Sequence, residues 1–156
     1  RMDFNVGGIY RHINNPYINK LILNQRKKSI ASNDSFYTPK GKKSAKDILE
    51  GIKKNSSMVL LIDQKDSAGE DVIFFNSVTK TQTGFLKIAK KHKMQIIPVQ
   101  NTRNNLNNFT LKFYPPLKPF KNHLTDKQAM EEIHKIIEEW IKENPSHYFL
   151  QHNRFS

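Results

Sequence analysis

Apolar and polar positions along this chain switch repeatedly between a strand period and a helix period. Phe4 to Tyr10 reads as a strand ending at Arg11. Asn14-Asn15-Pro16 opens a helix, because Asn caps a first turn well and Pro suits its first position. Tyr17, Ile18, Leu21, Ile22 and Gln25 give that helix its stripe, and it fades into Arg26-Lys27-Lys28. Phe36-Tyr37 predicts a short extended piece, and Ser44-Ala45-Lys46-Asp47 predicts a helix over 45–54 with a capping box at its start. Met58 to Ile62 is a continuous apolar run bounded by polar residues, the pattern of a buried strand. It delivers Asp63 and Gln64 to a polar loop in which Asp66, Glu70 and Asp71 read as solvation. Val72 to Phe75 predicts a second short strand, and Thr83-Gly84 leads a helix that ends in the basic run Lys90 to Lys93. Gln95 to Gln100 and Phe109 to Tyr114 pair as a hairpin across the polar stretch between them. Thr125-Asp126-Lys127-Gln128 is a capping box for the clearest helix, with Ala129, Met130, Ile133, Ile137, Trp140 and Ile141 on one face, stopped by Asn144-Pro145. The alternation argues an α/β fold with a mixed central sheet flanked by helices.

Composition narrows the picture. The 156 residues fit one domain able to bury a core. Mean hydropathy is −0.69. The longest clean apolar run is far below the ~20 residues that span a bilayer, and Arg1 to Gly8 has no apolar core of a signal peptide. The net charge of +12 favours anionic partners: nucleic acid, acidic lipid, phosphorylated sugar or an acidic carrier. With no cysteine, disulfides, thiolate metal sites and a Cys nucleophile are excluded. Phosphate-loop, zinc and nucleophile-elbow spacings are absent. The basic runs lack interleaved aromatic residues, so they read as solvated faces rather than a nucleic-acid platform.

Four blocks carry the candidate chemistry. Arg11 follows a strand in GGIYR, where a guanidinium can grip a phosphate. Asp63 and Gln64 follow an apolar strand, where a carboxylate can orient a histidine or hold a hydroxyl. Ile97-Pro98-Val99 is a buried-strand pattern. Pro145 to Phe155 (PSHYFLQHNRF) ends in His152 and Arg154. His134 and Glu139 match a literal His-x4-Glu, but five helical steps place them about 140° apart on one helix. His134 with Glu138 then reads as a mild surface pair.

In order and spacing these blocks resemble the C-terminal half of the lipid A biosynthesis lauroyl/myristoyl acyltransferases, within the wider glycerolipid acyltransferase superfamily. The matching residues are Tyr10-Arg11 with its Asn-Pro-led helix, Asp63-Gln64 with Val72, Phe74 and Phe75, the Ile-Pro-Val block, and Tyr148, His152, Arg154 and Phe155. Asn76, Leu150 and Asn153 depart from the family pattern. The resemblance implies that residues 1–156 are the C-terminal part of one acyltransferase domain. It implies transfer of a fatty acyl chain from acyl carrier protein to a phosphorylated lipid A precursor, at the cytoplasmic face of the bacterial inner membrane and against its anionic surface. No metal and no organic cofactor is implied, and no nucleic acid is expected. Arg11, Asp63, Gln64, His152 and Arg154 are then the substrate-binding or supporting residues. The family's catalytic His-x4-Asp/Glu motif and membrane anchor are expected upstream of residue 1, so the chain by itself is expected to be inactive and to bare an apolar patch where the rest would pack. The alternatives are a basic nucleic-acid-binding module and a non-catalytic lipid- or partner-binding remnant of a split gene.

Overall fold

The computed structural model describes residues 5–10, 13–29, 35–39, 42–117, 124–148 and 154–155, and the chain divides into two compact units, Arg1–Leu61 and Ile62–Ser156. Arg11 and His152 lie outside the described residues. The class is mixed α/β. Parallel and antiparallel pairing both occur, but in separate small sheets rather than one central sheet among the described residues.

The first unit is a parallel three-stranded sheet in the order β2-β1-β3, formed by β1 (Val6–Tyr10), β2 (Phe36–Pro39) and β3 (Ser57–Val59). Helices α1 (Pro16–Ser29) and α2 (Lys42–Lys53) connect them. The expected cap of α1 forms: the Asn15 side chain accepts from the Tyr17 and Ile18 amides at 3.0 and 3.2 Å. The expected start of α2 does not. The helix already runs from Lys42, and Asp47 accepts from the buried Thr38 hydroxyl at 2.6 Å. Gly7 and Gly51 lack a Cβ where the Phe36 ring and the Met58 methyl pack, so strand and helix share one pair of large side chains. The buried strand expected over Met58 to Ile62 is corrected. Strand β3 ends at Val59 and, among the described residues, is an edge strand paired only with β1, and Val59 and Leu61 are exposed.

The second unit begins at Ile62. The loop expected after Gln64 is instead strand β4 (Lys65–Phe74), which folds back antiparallel on β5 (Ser77–Thr81), a strand the apolar pattern missed. Lys65 and Glu70 both face Thr81, so the intervening residues bulge. A Cβ on Gly69 would stand 2.3 Å from the Thr81 carbonyl oxygen, so only glycine permits this bulge. Glu70 and Asp71 are not loop solvation. Glu70 accepts from the Thr83 hydroxyl at 3.0 Å, and Asp71 pairs with Lys80 across the ladder at 2.8 Å. The β4–β5 turn puts Phe75 and Asn76 at φ 48° and 58°, the left-handed pair of a two-residue hairpin loop, where Asn stands in for Gly. Helix α3 (Gly84–Lys91) ends in its basic run, with Lys93 left-handed and the Met94 amide donating back to the Ala89 carbonyl.

Strands β6 (Val99–Arg103) and β7 (Phe109–Phe113) form the expected hairpin, and α4 (Asp126–Glu143) begins with the complete Thr125/Gln128 capping box. The core joins Val72, Leu86, Ala129, Met130 and Ile133. Ile97 and Val99 are exposed, not core, because the two-stranded ribbon leaves one face open; Ile96 turns inward instead and bridges Leu117. Phe109, Leu111 and Phe113 on this ribbon are exposed as well. Among the described residues no helix is long and apolar enough to cross a membrane.

Candidate functional site

Within the second unit, residues far apart in sequence meet around Phe74. Alternation along β4 turns Val72 and Phe74 inward, and the same period along β5 buries Thr79 and Thr81. The buried face of α4 is Ala129, Met130, Ile133 and His134. The C-terminal segment adds Tyr148, Arg154 and Phe155. The Phe155 ring stacks on Phe74 at 5.9 Å, and Tyr148 meets it edge-on at 6.4 Å.

His134 is the first surprise. It is not a surface partner of Glu138 but is fully buried, tilted against Phe74 at 4.8 Å. Glu138 turns elsewhere and accepts from the Phe75 amide at 2.7 Å, which holds the strained turn residue in place. The Nδ1 of His134 lies 2.7 Å from the Ile73 carbonyl, an atom that can only accept, so Nδ1 carries the proton. Nε2 is then a bare acceptor for Arg154 Nη2 at 3.2 Å. Burial holds the imidazole below its ordinary value, and the Arg154 charge adds to this against the opposing Ile73 carbonyl, Glu138 and Glu131. His134 is a neutral fixture and not a base open to substrate.

Arg154 is only 4% exposed. Its Nη2 donates to the Thr81 hydroxyl at 3.3 Å and to His134, and its guanidinium lies 4.8 Å over the Phe74 ring. Every one of these contacts is to a neutral group. Nε and Nη1 have no hydrogen-bond partner among the described residues. Burial pulls the guanidinium below its usual value, while Tyr148 and the Asp63 carboxylate oppose that shift. Burial also pushes the Tyr148 phenol up, and Asp63 adds to it. Asp63, at a bend just before β4, thus lies within the electrostatic reach of Arg154 and Tyr148. A buried guanidinium stays charged. Its hydrogen-bond partners among the described residues are neutral, and its Nε–H and Nη1–H groups are buried without a partner there.

Of the expected site residues, Arg154 is buried in the cluster around Phe74, Asp63 is half-buried just before β4, and Gln64 is exposed. Arg11 and His152 are outside the described residues. Sequence reasoning missed Thr81, His134 and Tyr148 as members. For His134 the signal was available: it stands one step after Ile133 and four after Met130, on the apolar stripe. Among the described residues no three His, Asp or Glu side chains converge as a metal site.

A comparison with curated proteins finds no match. A comparison with family models matches residues 2–156 to the bacterial lipid A biosynthesis acyltransferases, and over that whole length the chain belongs to this family.

Proposed function

We propose that this chain is the acceptor-binding and supporting part of an enzyme that moves a fatty acyl chain from acyl carrier protein to a hydroxyl of a phosphorylated lipid A precursor, at the cytoplasmic face of the inner membrane. The observation that supports the reading is the match of residues 2–156 to the family, beside a buried Arg154 whose Nε and Nη1 have no hydrogen-bond partner among the described residues. In this reading Asp63 steadies the general base or the attacking hydroxyl. Arg154 supports Asp63; Gln64 and His152 contact the anionic acceptor; and Arg11, on the first unit, is a phosphate-gripping candidate. The base in this reading is a His-x4-Asp/Glu pair of the family's kind, a role that the buried His134 does not fill.

The test has two arms. The purified chain, given acyl carrier protein charged with a fatty acid and a lipid A precursor, is expected to show no acyl transfer; turnover would overturn the assignment of the base. In detergent micelles it is expected to bind the precursor, with Arg11→Gln and Asp63→Asn each weakening binding about tenfold, the worth of one charged contact. Binding that ignores both substitutions would remove the proposed roles.

A further inference from the structure

The β6–β7 ribbon has two different faces. Register places Val99 opposite Phe113, Asn101 opposite Leu111 and Arg103 opposite Phe109, and alternation sets these residues on one side. On the other side Tyr114, which continues β7, packs on Trp140 of α4 at 4.9 Å and donates to Gln100 at 2.7 Å. The ribbon is thus fastened by one face and open on the other. On the open face Phe109 and Leu111 are each 59% exposed and Phe113 69%, and Leu106 at the tip is 82% exposed. Single exposed apolar side chains are ordinary, but a continuous face of them marks a contact surface.

The tip is built to present Leu106. Arg103 donates to the carbonyls of Asn105 and Leu106 at 3.1 and 2.6 Å, and the Asn105 side chain accepts from the amides of Asn107 and Asn108. Backbone groups at the apex are thereby bonded internally, which lowers the cost of moving it out of water. Charge selects the partner. No Asp or Glu occurs between Asp71 and Asp126, whereas nine Lys or Arg residues do. Arg103, on the open face, lies over the Phe109 ring at 5.6 Å, and Lys112, on the opposite face, lies over Tyr114 at 4.7 Å. Exposed Phe and Leu side chains on a ribbon whose own residues, 99–114, include Arg103 and Lys112 and no Asp or Glu suit an anionic bilayer, where apolar groups enter the acyl boundary and cations meet headgroups. Single-stranded nucleic acid would use the cations and rings but has no use for Leu106 and Leu111.

We propose that the β6–β7 ribbon is a membrane-docking element that inserts Leu106, Phe109, Leu111 and Phe113 into the surface of an anionic bilayer. The proposal rests on the reading of the protein as an enzyme of a membrane lipid. It adds the element that seats the protein on that membrane.

The experiment measures binding of the full chain to vesicles of phosphatidylcholine with and without phosphatidylglycerol. Binding is expected only with the anionic lipid and is expected to weaken as salt rises. The double variant Leu106→Asn/Phe113→Ser, with circular dichroism confirming the fold, is expected to lose at least about tenfold in vesicle affinity. A Leu106→Trp reporter is expected to shift to the blue on binding and to be quenched by brominated acyl chains. Vesicle binding unchanged in the double variant, or a reporter that stays water-like on bound vesicles, overturns the proposal. So does a concentration-dependent dimer that buries the reporter, or ribbon-dependent binding to an oligonucleotide in place of vesicles. The double variant is expected to retain precursor binding in detergent micelles, which separates failure of docking from failure of the acyltransferase reading.

Discussion

Among its described residues the second unit contains two arginine–phenylalanine pairs that differ in almost everything but composition. Arg154 lies 4.8 Å over Phe74 inside the aromatic cluster, and Arg103 lies 5.6 Å over Phe109 on the open ribbon. The inner guanidinium is fixed by Thr81 and by the bare nitrogen of a neutral histidine. The outer one braces a loop tip in water. A cation over a ring contributes about 0.5–1 kcal/mol when exposed and about 2 kcal/mol or more when desolvated. Burial therefore turns one contact into an anchor for a site and leaves the other free to serve a surface. Arg154 keeps two buried N–H groups without a partner among the described residues, and Arg103 stands beside exposed apolar side chains.

Removing the inner ring should have the largest effect. Phe74→Ala is expected to cost about 3–5 kcal/mol in urea unfolding, since it opens a cavity beneath Phe155, Tyr148, His134 and Arg154 together. A loss near the cost of a surface change would mean that the cluster does not hold the C-terminal segment. His134→Gln is expected to cost about 1–3 kcal/mol near pH 8, because the Ile73 carbonyl and Arg154 each lose a placed partner.

The same histidine predicts a pH dependence. Its folded-state value lies below the ordinary 6.5, so the unfolded chain takes up the proton first as pH falls. Its contribution is complete above that ordinary value and is lost as pH drops below it toward the folded-state value. Unfolding midpoints measured across this window should decline in the natural chain and flatten in His134→Gln; equal slopes would mean that the imidazole is not held neutral. The smallest effect belongs to the outer pair. Arg103→Ala is expected to cost under about 1 kcal/mol. A loss as large as that of Phe74→Ala would show that burial is not what separates the two pairs.

Local signals were readable where short-range chemistry decides. The Asn15 cap, the Thr125/Gln128 box, the stop at Asn144-Pro145 and the β6–β7 hairpin all follow from residues a few positions apart. Elements that depend on distant partners were not readable. Strand β5 carries Thr and Lys rather than a clean apolar run, and its place is set by β4 and by a bulge that Gly69 permits. Val59, Ile97 and Val99 are apolar and still exposed, because edge strands and a two-stranded ribbon leave a face uncovered.

The sequence by itself determined the family, the α/β class, the helix boundaries marked by caps, and the identity of Asp63 and Arg154 as residues to watch. Only the tertiary structure decided that Arg154 is buried among neutral groups, that His134 is its acceptor, and that the ribbon turns its apolar side outward. The reason is physical. A cap or a turn is a contact between near neighbours in the chain, whereas burial, tautomer and exposure depend on what the rest of the chain places against a side chain.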